Sequence, residues 1–465
     1  MRHYHNLSHE HKLTTDMGYL VPVATMEVLP GDTFIQRSTA LVRLAPLVNP
    51  IMHNVDISMH HWYVPNRIIW NEWEDFITGE DGVNMPLHTI DTSGNDYDLL
   101  DHMGIPPADA MAVSELPIRA YNMIWNEFYR DQDLQTKRAE GETSLARVCW
   151  DKDYFTTARP YPQQGDAVTI GFDSARADVR ASNTNNNKNW TGGTIAFDNN
   201  LDTKVKITVD SVQKQLYADL STMTGGIDVN DLRRSIALQR FAEARMKFGS
   251  RYVDYLRFLG VNPKDGRLDR PEYIGGGKQR VNFSEVLATA EGTNTNVGDM
   301  FGHGIAGLAA RKYRKMFEEH GWMITLMSVR PKSVYQDALP RKFTRIDPMD
   351  YWQKELQTLP WQEVKQTEID YKGDEDTTFG YVPKYDEYRH EHNYVSNGFR
   401  TGGPEEDWHM GRSFGTPPTL NSSFVECTPT DRIYADKSMS ELIINCHHKI
   451  TAKRLVSQNA MIGSL

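Results

Sequence analysis

Histidine is the residue type best placed to do chemistry in this 465-residue sequence. Four histidines lie near the N-terminus and two adjacent pairs follow: His3, His5, His9, His11, His60–His61 and His447–His448. Imidazoles gathered in this way could bind a transition metal. However, no HExxH arrangement is present, and adjacent residues on a strand point to opposite faces. We therefore expect structural or solvent-facing histidines and no metal site.

Two glycine-rich stretches resemble nucleotide-binding loops. The GGGK stretch at 275–278 ends in Lys278, but Gln279 follows where a phosphate loop needs Ser or Thr. The GHGIAG stretch at 302–307 has dinucleotide-type glycine spacing without the βαβ unit that such a site requires. We expect a turn at the first stretch and a flexible loop at the second.

Nucleophilic chemistry has no support in the sequence. No GxSxG motif occurs, and Cys149, Cys427 and Cys446 are far apart and odd in number, which favours reduced buried thiols over disulfides or a zinc site. The acidic runs at 374–376 and 405–406 are typical of solvated loops. We predict no enzyme, no catalytic residue and no cofactor.

Composition limits the remaining classes of protein. Hydrophobic residues are 39% of the chain and charged residues 24%, enough for a large core. No run approaches the ~18 apolar residues that span a bilayer, and the polar N-terminus is unlike a signal peptide. We expect no membrane insertion and synthesis in the cytoplasm. The net charge of -11 argues against a surface that binds nucleic acid everywhere, although a locally basic face remains open.

The chain alternates extended and helical patterns. Strands are predicted at YLVPVAT, TFIQRSTALVR and VDISMHHWYV, the last as a half-buried strand, and later at RVNFSEVLAT, WMITLMSVRP and ELIINCHHKITAKR. Helices are predicted at RIIWNEWEDFITG, at LPIRAYNMIWNEFYRDQ and over 229–259. The long insertions between strands favour a β-sandwich over a βαβ repeat.

Long ordered motifs resemble the major capsid proteins of the gokushovirus branch of the microviruses, which are small icosahedral single-stranded-DNA bacteriophages. They include DMGYLVPVATMEVLPGDTF at 16–34, SRYVDYLRFLGVNPKDGRLDRPEYIGG at 250–276, SVRPKSVYQDALPRKF at 328–343 and FGYVPKYDEYRHEHNYVSNGFR at 379–400. The resemblance implies a mainly β fold, an eight-stranded antiparallel jelly roll with large helical and loop insertions. It also implies sixty copies in a T=1 shell around circular single-stranded DNA.

We expect one jelly-roll domain over 1–465. It would carry a helical and loop insertion at 65–165, a variable surface loop at 173–225, long helical and loop insertions at 226–430 and a C-terminal strand and tail at 431–465. The 173–225 stretch is shorter than in many relatives, so a prominent surface protrusion is not assured. Its polar composition predicts an exposed loop at Asn183, Asn185, Asn186, Asn187, Lys188 and Trp190.

Two further sets of residues are predicted to make contacts in a particle. Aromatic side chains favour buried protein contacts, which predicts a subunit interface at Trp62, Trp70, Trp73, Trp352 and Trp361. Basic residues at the two chain ends are predicted to contact phosphates: Arg2, Lys12, Lys449, Lys453 and Arg454. The resemblance implies as further partners a DNA pilot protein, a small basic DNA-binding protein and a host cell-surface receptor.

Two other functions remain open from the sequence. A phage spike or carbohydrate-binding β-sandwich would be a binding module, often trimeric. A glycan-active enzyme on a β fold would need two carboxylates flanking a cleft, which a sequence cannot place in space.

Overall fold

Two antiparallel β-sheets share one hydrophobic core in this protein. The computed structural model describes residues 2–79, 81–91, 97–107, 109–163, 165, 179–181, 206–209, 212–218, 229–248, 254, 257, 269–289, 291 and 296–457. The chain divides into two compact units: Met1–Pro162 with Phe248–Leu465, and Gln163–Lys247. The expected domain boundaries inside the first unit stay a prediction.

The larger sheet of the first unit has seven strands. Its order is β1-β18-β4-β13-β12, with β2 also paired to β18 and β14 to β4. These strands are β1 (His3–Asn6), β2 (His9–Thr15), β4 (Thr33–Leu44), β12 (Asn282–Leu287), β13 (Met300–Ala309), β14 (Tyr313–Met316) and β18 (Leu442–Arg454).

The second sheet has four strands in the order β11-β5-β15-β3. These are β3 (Val21–Val28), β5 (Val55–Pro65), β11 (Glu272–Arg280) and β15 (Gly321–Pro331). Two small hairpins accompany the sheets: β6 (Leu87–Thr89) with β7 (Ala112–Ser114), and β16 (Trp361–Lys365) with β17 (Thr378–Pro383).

The sandwich core forms because side chains alternate along each strand. Strand β4 turns Val42 inward and β18 turns Ile444 inward, while Ile57 of β5 and Val329 of β15 face them from the other sheet. A mainly β fold with antiparallel sheets is therefore confirmed. The eight-stranded jelly-roll order stays a prediction.

Strand β5 corrects one expectation, because it is buried on both faces. On its second face, Trp62 and Val64 pack in another hydrophobic core. The insertion after residue 65 contributes Tyr121, Ile124 and Trp125 to this core. The helices of this insertion are α1 (Asn66–Ile69), α2 (Trp73–Thr78), α3 (Asp98–His102) and α4 (Leu116–Ile124), which continues as a π-helix over Trp125–Tyr129.

The predicted helix at RIIWNEWEDFITG is interrupted. Trp70 is extended, with φ -150°, and separates α1 from α2. Gly79 ends α2 as predicted, in the left-handed conformation at φ 83°.

Both glycine-rich expectations were wrong. GGGK lies inside β11 and GHGIAG inside β13. A Cβ at Gly276 would lie 2.3 Å from the carbonyl oxygen of Met59, so this glycine permits close strand pairing.

A third core in the first unit lies under irregular chain between residues 335 and 425, around Phe155, Tyr335 and Phe379. Short helices punctuate this region: α6 (Gln366–Ile369), α7 (Ser422–Val425) and 3-10 turns at Arg341–Phe343, Pro348–Asp350, Glu355–Thr358, Asp386–Tyr388, Asn397–Phe399 and Glu406–Trp408.

The second unit contains a three-stranded antiparallel sheet in the order β8-β10-β9. Its strands are β8 (Val179–Ala181), β9 (Lys206–Val209) and β10 (Val212–Ala218), and helix α5 (Val229–Phe248) begins in this unit. This helix agrees with the first part of the predicted 229–259 helix.

Candidate nucleic-acid interface

The outward face of the seven-stranded sheet carries an excess of positive charge. Strand β18 alternates between buried and exposed side chains, and Lys449 and Lys453 are on its outward side. Strand register brings further cations to this side. We call the following set the basic face: Lys12, Arg37, Arg43, Arg314, Lys449 and Lys453.

The charges of the basic face are poorly compensated. Among the outward side chains of these described strands, Glu10 is the one carboxylate, and it lies 3.6 Å from Lys12. Within the described chain, no ion pair under 4.0 Å involves Arg37, Arg43, Arg314 or Lys449. The face is thus cationic although the chain as a whole is acidic.

Lys449 and Arg37 lie directly opposite each other on paired strands. Like charges in this position destabilise a sheet, by a few tenths of a kcal/mol on the usual scale of cross-strand pairs. A bound polyanion would remove this repulsion, because each phosphate compensates one cation.

On the inward side of the same strand, His448 is buried among apolar neighbours and is hydrogen-bonded. His448 Nδ1 lies 2.8 Å from Ser38 Oγ, and His448 Nε2 lies 3.0 Å from the Val23 carbonyl oxygen. Burial, followed by the nearby His9, lowers the pKa of His448 to about 4. His447 is exposed on the outward side, as adjacent strand residues should be.

The residues near the N-terminus pair with strand β18 of the seven-stranded sheet. His3–Asn6 pairs with Thr451–Arg454 of β18, and His9–Thr15 pairs with Leu442–His448. Within the described residues, no group of three or more His, Cys, Asp or Glu side chains could hold a metal ion.

The predicted phosphate-contacting residues divide into two groups. Lys12, Lys449 and Lys453 are on the basic face, where Lys453 Nζ lies 5.4 Å from the ring centroid of Tyr4. Arg454 has an internal role, because its Nε lies 2.9 Å from the buried carboxylate of Asp32.

Arg454 Nη2 also donates to the Glu27 carbonyl oxygen at 2.8 Å, so this arginine is not part of the basic face. Arg2 lies beside the turn at Gly31, and a Cβ there would meet its guanidinium.

Sequence reasoning missed Arg37, Arg43 and Arg314. The first two have the same parity in the alternating segment TFIQRSTALVR, which was a usable signal. Their proximity to Lys449 depends on strand register, which the sequence does not reveal.

The predicted interface tryptophans are also divided. Trp62, Trp70 and Trp73 are buried in the second core, so packing within the chain accounts for them and leaves them little surface for a neighbour. Trp361 is half-buried at the start of β16, whereas Trp352 is 51% exposed.

Trp352 belongs to a segment that presents apolar side chains to solvent. We call residues 343–352 the apolar segment; its exposed members are Phe343, Ile346, Met349, Tyr351 and Trp352. Within this segment, Arg345 Nη2 forms an ion pair with Glu387 Oε1 at 3.3 Å. The guanidinium carbon of Arg345 also lies 4.3 Å from the ring centroid of Tyr388.

Free cysteines agree with the expected reduced thiols. Cys427 and Cys446 are buried and Cys149 is partly buried. Burial raises the pKa of Cys446 to about 12, which disfavours the reactive thiolate. The predicted exposed loop from Asn183 to Trp190 lies outside the described residues. No helix of the described chain is long and apolar enough to cross a membrane.

The first unit is thus an antiparallel β-sandwich with long insertions and a cationic sheet face. The chain belongs to the phage capsid protein (F protein) family, whose model matches residues 1–461. It is thus a structural protein of a virion and not an enzyme.

Three of its relatives are capsid proteins of gokushovirus-type microviruses. Capsid protein VP1 of Chlamydia phage 1 is 31% identical over 94% of this chain and 91% of its own length. Capsid protein VP1 of Bdellovibrio phage phiMH2K is 30% identical, over 89% and 86% respectively. Capsid protein VP1 of Spiroplasma virus 4 is 27% identical, over 88% and 85%.

Proposed function

We propose that this chain is the major capsid protein of its particle, and that sixty copies form a T=1 shell around a circular single-stranded DNA genome. Family membership supports assembly, since heterologous contacts between identical subunits can close into rings. Two antiparallel sheets with a shared core and long insertions support an eight-stranded jelly roll as the shell wedge.

Genome contact is assigned to the basic face. The observation that carries this assignment is the cross-strand pair Lys449–Arg37, neither member of which has a carboxylate partner in the described chain. Lysine and arginine bind phosphates without reading base sequence, which suits a shell that encloses one long strand. The face would therefore line the interior of the particle.

A double substitution tests this assignment. Replacing Arg37 and Lys449 by Gln should leave shells able to form while lowering their DNA content. For binding of an oligo-dT strand, the slope of log affinity against log salt should fall by ~1.4, the value for two lost phosphate contacts.

The matched control replaces two exposed lysines elsewhere, Lys137 and Lys372, by Gln. It should keep both the DNA content and the salt slope of the unaltered protein. An unchanged slope in the Arg37/Lys449 variant would contradict the genome assignment. Loss of shells in that variant alone would instead make the face a subunit contact.

The remaining partners belong to the same proposal. A DNA pilot protein, a small basic DNA-binding protein and a host cell-surface receptor would contact the shell, after synthesis of the chain in the host cytoplasm. The Asn183–Trp190 stretch is proposed as an outer loop, and protease access to Lys188 on intact particles tests it. Complete protection of Lys188 in intact shells would contradict that position.

A further inference from the structure

A hairpin at the edge of the seven-stranded sheet presents apolar side chains on both of its faces. Strands β12 and β13 form this hairpin, and β12 pairs with no other described strand. Val286 lies opposite Phe301 on one face, and Leu287 lies opposite Met300 on the other. All four side chains are exposed, Leu287 by 56%. An uncovered two-stranded ribbon of this kind is marginal in water, so we expect another surface to cover it.

The hairpin is also acidic. Residues 281–310 contain no Lys or Arg. Glu285, Glu291 and Asp299 lie in this stretch. Glu285 and Glu291 are exposed, and within the described chain neither carboxylate forms an ion pair under 4.0 Å. We call the hairpin from residue 284 to residue 301 the acidic ribbon.

Helix α5 has the complementary composition. Its exposed large apolar residues are Ile236, Leu238 and Phe241. Its exposed cations are Arg233, Arg234, Arg240 and Lys247. None of these four cations has a carboxylate within 4.0 Å among the residues that the structure describes. Between residues 232 and 247 the one acidic residue is Glu243, which accepts a hydrogen bond from Gln239 Nε2 at 2.7 Å. The helix therefore combines uncovered apolar side chains with uncompensated positive charge.

We propose that the acidic ribbon of one copy binds helix α5 of a second copy of the chain. This inference rests on the proposed assembly of many copies, and it names two of the surfaces that join them. Opposite charges orient the contact and select the partner surface. The apolar side chains of the ribbon and of the helix supply the area that the contact buries.

Two other occupants fit the acidic ribbon less well. A second ribbon would bring like charges together, which costs free energy at an interface. Nucleic acid would place its phosphates next to the carboxylates of Glu285 and Glu291, with no cation of the ribbon to compensate them. A contact between ribbon and helix is instead head-to-tail, and contacts of this type close into rings in a symmetric shell.

Charge reversal in the full-length chain tests the contact. Glu285→Lys with Glu291→Lys reverses the ribbon, and Arg234→Glu with Arg240→Glu reverses the helix. The variants are introduced into the complete phage genome, and closed shells are counted by electron microscopy. Each reversal should lower the yield of closed shells by about tenfold or more, because it places like charges across the contact.

The chain that carries all four reversals should recover its shells, because opposite charges again face each other. Glu375→Lys with Asp376→Lys alters two exposed acidic residues outside both surfaces and should leave the shell yield unchanged. Circular dichroism of the unassembled chains shows whether each variant folds. Leu287→Ser, which removes only apolar area from the ribbon, should also lower the yield and serves if a reversed chain does not fold.

Full shell yield from the reversed ribbon would overturn this contact and leave the proposed function standing. A chain with all four reversals that forms no more shells than the reversed ribbon alone would overturn the assignment of helix α5. Rescue of the reversed ribbon by Arg37→Glu with Lys449→Glu would do the same, because it would move the contact to the basic face. If the unaltered chain formed no multimers at all, both this contact and the proposed function would be wrong.

Discussion

Single glycines in β13 have opposite roles that only their surroundings distinguish. A Cβ at Gly302 would lie 2.2 Å from the Asn49 carbonyl oxygen, which belongs to the backbone and cannot rotate away. A Cβ at Gly307, five positions along the strand, would meet no atom within 4 Å. Gly302 is thus required because no side chain fits at its position, whereas Gly307 has room for a side chain.

We expect Gly302→Ala to lower the free energy of unfolding by about 1–3 kcal/mol, the range for overpacked sites. Gly307→Ala is the matched control and should be neutral or stabilise by up to ~1 kcal/mol, because alanine restricts the unfolded chain. Urea unfolding of the two variants measures the difference. Equal destabilisation by both would contradict the assigned contact of Gly302.

At the scale of elements, the two sides of strand β18 have different chemical environments. Its outward side chains contribute to the basic face, and its inward His448 belongs to a buried polar network between the two sheets. In that network Ser38 and Thr325 receive the amide of Gln36 at 3.0 and 3.4 Å, and His61 Nδ1 lies 2.9 Å from Thr325 Oγ1. Burial, followed by the nearby His448, lowers the pKa of His61 to about 3.

This network predicts acid sensitivity of the sandwich. The pKa of His448 is lowered from 6.5 to about 4 in the fold, so the unfolded chain binds the proton more readily between these values. The stability contributed by neutral His448 is thus present above pH 6.5 and is lost as the pH falls towards 4. The loss amounts to about 3 kcal/mol for this group.

The variant His448→Gln cannot titrate, so its unfolding free energy should fall less between pH 6.5 and 4 than that of the unaltered chain. The neighbouring His447→Gln, which alters an exposed ring, should keep the full acid dependence. Thermal unfolding across this pH range provides the measurement. The same pH dependence in both variants would show that the buried ring does not cause the acid sensitivity.

At the scale of the whole molecule, we expect the apolar segment to bind a second copy of the chain. Its exposed side chains include Ile346, which is 86% exposed, and Trp352. The Arg345–Glu387 ion pair fixes the backbone beneath them, which lowers the entropy cost of docking. Family membership in the capsid proteins makes another subunit the expected occupant.

We expect Ile346→Asp to fold normally and to lower the yield of closed shells, because a buried unpaired carboxylate at an interface costs several kcal/mol. Subunit contacts in such a shell should bury more than ~1,000 Å² each. Met111→Asp, at an exposed apolar residue outside the segment, is the control. Normal shells from Ile346→Asp, seen by electron microscopy, would remove this segment from the interface.

Local patterns in the sequence determined the strands of the sandwich. Alternation in TFIQRSTALVR and ELIINCHHKITAKR predicted β4 and β18, because side chains on a strand have a period of two whatever the partner strand. Long family motifs indicated the capsid family, which the family model confirmed. The absence of catalytic motifs likewise agreed with a structural protein.

Only the tertiary structure shows which segments pair with these strands and which side chains pack against them. The Lys449–Arg37 pair joins residues near opposite ends of the chain, and the second buried face of β5 exists because the insertion after residue 65 packs on it. The same applies to the two glycine-rich stretches, where only the folded chain shows that Gly276 and Gly302 lie against neighbouring backbone. Pairing and packing between distant segments depend on register and on cores that no local window of sequence contains.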